Sequence, residues 1–116
     1  MGLNAFTVLG NTAKMTAAST PPTPIQVSST TLGGNQYRII NLSTTTTAFL
    51  SYASTAAIAT TNCVIPTGDG ANAQNCIPLL PNTDEILSFV PNGFFTAITA
   101  SGTADIFITP DRKSVV

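Results

Sequence analysis

Histidine and tryptophan are absent from this 116-residue chain, and ionised side chains are scarce. Without histidine the chain lacks the commonest general base near neutral pH and the commonest metal ligand. Four basic and five acidic residues amount to 8% of the sequence, against about 25% in an ordinary soluble domain. The basic residues cluster only at Arg112-Lys113. Nucleic-acid binding draws on a basic patch or stripe, so no nucleic-acid partner is expected. Tryptophan, a common sugar-stacking ring, is missing. Tyr37, Phe49 and Tyr52 remain, but such rings more often fill a core or an interface.

Long apolar runs are also lacking. No stretch approaches the roughly 20 residues that span a bilayer, and the start Met1-Gly2-Leu3-Asn4-Ala5-Phe6 has no basic n-region or apolar h-region. No membrane partner is expected, and synthesis is expected in a cytoplasm. Catalytic signatures are missing too: there is no G-x-S-x-G elbow, no phosphate-cradling loop and no dinucleotide fingerprint. Asp84-Glu85 are adjacent, so on a strand they point to opposite faces and cannot converge as an acid pair. Asp69, in Thr67-Gly68-Asp69-Gly70, stands alone where calcium gathers six to eight oxygens. Asn41-Leu42-Ser43 matches a glycosylation sequon but lies in a predicted strand, and chance explains it. No enzymatic activity, cofactor or metal ion is expected.

What the chain does have is apolar material: 43% hydrophobic residues and a mean hydropathy of +0.30. Interface cores are depleted in charge, so a surface this poor in ions suggests that much of it is covered by protein. Period-2 patterning dominates. Residues 36–42 and 48–53 read as strands joined in a hairpin through Ser43-Thr44-Thr45-Thr46-Thr47. Segments 84–90, 94–100 and 103–109 read as three more strands, separated by Pro91-Asn92-Gly93 and Ser101-Gly102. In the last, Ala104, Ile106 and Ile108 share one face. Residues 54–83 read as a long loop with strand fragments; Ala56-Ala57-Ile58-Ala59 could form a turn of helix, but helical periodicity is sustained nowhere over ten residues.

The pattern predicts an all-β fold: an antiparallel β-sandwich, jelly-roll-like or immunoglobulin-like, with an extended N-terminal arm. Ser19-Thr20-Pro21-Pro22-Thr23-Pro24 favours a stiff extended path. Residues 1–24 are therefore read as arm and linker, and 25–116 as the sandwich domain. Leu3, Phe6, Val8 and Leu9 are the candidate assembly contacts on that arm, which could add a strand to a neighbour's sheet. Cys63 and Cys76 bracket a turn-rich segment and are a candidate disulfide; a reducing compartment would leave them as small buried hydrophobes. Without histidine they cannot fill a tetrahedral zinc shell.

Over residues 36–110 the sequence resembles small virion proteins of tailed bacteriophages. The resemblance rests on Tyr37-Arg38-Ile39-Ile40-Asn41-Leu42, Thr47-Ala48-Phe49-Leu50-Ser51-Tyr52, Ile77-Pro78-Leu79-Leu80-Pro81, Glu85-Ile86-Leu87-Ser88-Phe89 and the ending from Ala97 to Pro110. The segment around Cys63–Cys76 departs from that pattern. The resemblance implies a capsid decoration, or cement, protein on the virion surface. It would bind the major capsid protein and neighbouring copies, with a homo-trimer favoured. A neck or tail component, and a secreted carbohydrate-binding or adhesion domain, are the alternative readings.

Overall fold

The computed structural model describes residues 12–27, 36–67, 76–90 and 92–110. Eight strands and one short helix run in the order β1 (Ala13–Ala17), β2 (Ile25–Gln26), β3 (Gln36–Asn41), β4 (Ala48–Ala53), α1 (Ala56–Asn62), β5 (Cys76–Leu79), β6 (Thr83–Ser88), β7 (Phe94–Thr99) and β8 (Ala104–Pro110). They form two antiparallel four-stranded sheets, ordered β1-β8-β3-β6 and β2-β7-β4-β5. The expected all-β sandwich is thus present. The strand order is that of a jelly roll, in which the chain passes back and forth between two facing sheets.

Alternation builds the core. Ile106 and Ile108 of β8, Tyr37 and Ile39 of β3, Leu50 of β4, and Phe95 and Ala97 of β7 have no exposed surface. Each sits directly next to a residue that points to the other face of its sheet, as the pleat requires. Met15, Ala17, Val27, Ala48, Leu79 and Ala104 complete the cluster. At one end Tyr37 meets Phe95 edge-on, ring centroids 4.9 Å apart, and Tyr52 meets Phe89 at 4.7 Å. Tight turns close the strand ends. Gly102 takes φ 74° between β7 and β8, and Asn82 takes φ 58° between β5 and β6. Glycine and asparagine are the residues that enter this region most readily.

Three expectations change. Part of the N-terminal segment read as an arm is core: β1 pairs with β8 from Ala13↔Ile108 to Ala17↔Ala104, with Met15 and Ala17 buried. The Pro-rich segment lies on the body, where the Thr96 hydroxyl donates to the Pro22 carbonyl at 2.8 Å. The described sandwich therefore starts at β1 rather than at residue 25. Second, β3 and β4 are not a hairpin but belong to opposite sheets. Ser43 Oγ accepts from the Thr46 amide at 2.8 Å and the Thr45 amide at 3.2 Å, turning the chain across the sandwich. Third, the stretch read as a loop over 54–83 holds α1, whose N-cap Thr55 accepts from the Ile58 amide at 3.2 Å. A capped seven-residue helix is too short to show sustained periodicity.

The sheet edges are guarded. Lys14 lies on β1, Asp84 and Glu85 on β6, and Pro78, which has no amide hydrogen, on β5. β2 is two residues long and follows Pro21, Pro22 and Pro24. Short edges, charges and proline all discourage addition of a further strand.

Candidate functional site

The two outer faces differ in kind. Every charged residue among those described (Lys14, Arg38, Asp84, Glu85 and Asp105) lies on the β1-β8-β3-β6 sheet. There Arg38 Nη2 sits 2.9 Å from Asp84 Oδ2 and Lys14 Nζ 3.9 Å from Asp105 Oδ2. All four side chains are about half exposed, so solvent screening leaves these pairs little net stabilisation. Phe107 stands beside Ile40 between them.

The β2-β7-β4-β5 sheet carries no charged side chain among the described residues. Its outer face has two zones. One rung holds Phe49, paired with Ile98 of β7 and Pro78 of β5. The next holds Ser51, Thr96 and Cys76, and α1 lies over it. Ala59 of the helix is buried there, and the Ser51 hydroxyl donates to its carbonyl at 2.8 Å. On the solvent side α1 presents Ala57, Ile58, Thr60 and Thr61. Ile58 and, just beyond the helix, Val64 are nearly half exposed.

Under α1 the two cysteines meet. Both are buried free thiols. The Cys63 thiol lies in hydrogen-bonding contact with Cys76 and with the Thr96 hydroxyl. As a neutral thiol Cys76 donates to the Asn62 carbonyl at 3.0 Å. As a thiolate it accepts from Cys63 and from the Val64 amide, which draws it down to about 7 against the opposing effect of burial. Cys63 moves the opposite way: its contact with Cys76 comes first and burial second, and both hold it protonated. One proton is therefore released easily from the pair and the second is retained. Cys76, with Tyr52, Ser54, Ile58, Asn62 and Phe89, also lines an open groove of about 550 Å³.

The sequence-level candidates distribute unevenly. Cys63 and Cys76 are brought together. Leu3, Phe6, Val8 and Leu9 fall outside the described residues. Tyr37, Phe49 and Tyr52 form no common platform, since Tyr37 is fully buried and Phe49 faces outward on the opposite sheet. Asn41 is completely buried, so the sequon offers no glycan acceptor in the folded chain. Sequence alone gives no functional signal at Ile58, Val64, Ser51 or Thr96. Only the outward register of β4 and β7 points to the last two, and that register requires the strand assignments first. Among the described residues no three His, Cys, Asp or Glu side chains gather where a metal ion could be held. Comparison with protein-family models, curated proteins and solved structures returns no match to this chain.

Proposed function

We propose that this chain is a non-enzymatic structural protein of a tailed-phage virion. In this reading it is a capsid decoration protein that braces the head by binding the major capsid protein and copies of itself. The observation that carries the reading is the segregation of charge: one sheet bears every ion among the described residues, four of the five on its outer face with Glu85 beside Ile39 at its edge, and the other sheet bears none. An uncharged face of Phe49, Ile98, Ile58 and Thr side chains costs little to desolvate, as the centre of a protein interface requires. Guarded edges favour association through faces rather than through added strands. A jelly roll is a scaffold used in viral shells, among other roles, and the resemblance over residues 36–110 points the same way. In a symmetric shell, modest contacts at each copy add up through avidity. Synthesis in the host cytoplasm and a trimeric state belong to the same proposal.

The test counts the protein in purified particles and repeats the count after Ile58→Asp and Val64→Asp. Decoration of the shell predicts many copies per particle, and incorporation that falls with the substitutions while the isolated protein still unfolds cooperatively. A copy number matching a single ring would move the assignment to neck or tail. A freely soluble monomer absent from every particle would overturn the proposal.

A further inference from the structure

We infer that Cys63 and Cys76 form an exchange-competent dithiol, in which Cys76 attacks a small-molecule disulfide through the groove and Cys63 resolves it. The inference is independent of the assembly role. Three features of geometry carry it. Beneath α1, Cys76 Sγ lies 3.0 Å from the carbonyl of Asn62, the residue that precedes Cys63. Cys76 lines the groove, which gives a reagent a route to its sulfur. Cys63, at the C-cap of α1, is not among the residues that line the groove, although both side chains are nearly buried, at 5% for Cys63 and 8% for Cys76. Asymmetry of access thus assigns the order, and the ease with which Cys76 becomes a thiolate agrees with it.

The chemistry balances with oxidised glutathione as the partner. Cys76 thiolate attacks one glutathione sulfur, forming a mixed disulfide and releasing one glutathione thiolate. Cys63 then loses its proton and attacks Cys76 Sγ, expelling the second glutathione thiolate. The two leaving thiolates take up the two protons shed by the cysteines. Two electrons pass from the protein sulfurs to the glutathione disulfide. The resulting bond joins the C-cap of α1 to the first residue of β5 and closes the segment 64–75, so it restrains the unfolded chain. It also fixes the helix whose outer side forms the uncharged face.

The experiment exposes the folded full-length protein to oxidised glutathione, quenches with acid, alkylates the remaining thiols and maps peptides by mass spectrometry. Expected are an early adduct confined to Cys76, then an intramolecular Cys63–Cys76 bond without retained glutathione, and a rise in Tm on the order of 10 °C. Cys63→Ser should hold the reaction at the Cys76 adduct, whereas Cys76→Ser should slow Cys63 modification at least about tenfold. First attack at Cys63, disulfides between chains, or thiols that react only in denaturant would each overturn the inference. The time course on the unsubstituted protein decides the order even if a variant fails to fold.

Discussion

Asn41, the last residue of β3, donates its Nδ2 to the carbonyl of Leu79, the last residue of β5 in the opposite sheet, at 2.9 Å. The same amide nitrogen donates to Thr46 O at 3.0 Å, and Oδ1 accepts from the Ser43 amide at 3.0 Å. One buried side chain thus holds the crossover from β3 to β4 against the end of β5. Asn41→Ala would leave two carbonyls and an amide without this partner. A loss of about 2–4 kcal/mol is expected, read as a lower urea midpoint with unchanged slope. A loss below about 0.5 kcal/mol would show that water replaces the side chain without penalty.

Tyr37 makes a comparable tie at the other end of the core. Its hydroxyl donates to the Val90 carbonyl at 2.5 Å and accepts from the Gly93 amide at 3.2 Å. Tyr37→Phe keeps the ring against Phe95 but leaves both backbone groups unpaired. The expected destabilisation is about 1–3 kcal/mol in thermal or urea unfolding. Gly93→Ala acts on the same corner by crowding, because a Cβ there would lie 2.8 Å from Phe89 Cδ2. Displacing that ring disturbs its contact with Tyr52, and about 1–3 kcal/mol should again be lost. Equal stability of the alanine variant would mean that Phe89 swings away freely.

The corner between β6 and β7 shows how far sequence reading reaches. Pro91-Asn92-Gly93 is legible as a turn, yet positive φ falls on Asn92, at 59°, while Gly93 is needed for room beside Phe89. Alternation in β8 is equally legible, since Ala104, Ile106 and Ile108 are the buried face. Which sheet a strand joins is not legible. β3 and β4 look like a hairpin because local pattern carries no information on whether the chain pairs with itself or crosses the sandwich. The place of β1 in the sandwich escapes for a related reason: a short strand followed by prolines resembles an arm until its partner, almost a full chain length away, is known. Of the candidate site, the cysteines stand out by type. Ser51, Thr96 and the capped helix above them become visible only when β4, β5 and β7 lie side by side.

Truncation separates arm from core. Removing residues 1–11 leaves β1 intact, and cooperative unfolding should persist. Removing 1–24 deletes the strand that carries Met15 and Ala17 and strips β8 of a neighbour. Burial of Met15 alone is worth about 2 kcal/mol or more, and the lost ladder adds to it. The longer deletion should therefore lose cooperative thermal unfolding or be recovered only as insoluble protein. If residues 25–116 unfold with an unchanged midpoint, β1 is dispensable and the arm extends as far as the linker.

The thiol pair makes stability depend on pH with a change of sign. Cys76 sits at about 7 in the folded chain against an ordinary value of 9.0. Between those limits the unfolded chain binds more protons, so stability rises with pH across that window and is lost as pH falls through 7. Cys63 is held protonated above its ordinary 9.0. Above that value the unfolded chain sheds a proton that the folded one keeps, and stability declines. Tyr37, raised mainly by burial despite the hydrogen bonds from Gly93 and Asn92, adds to the decline above its ordinary value of 10.0. Urea midpoints measured across this range should trace a maximum near pH 9. The folded protein should show one thiolate absorbance step near pH 7 and no second step before unfolding. Two steps close to 9 would mean that the sulfurs ionise independently, and the contact beneath α1 would then have no effect on either.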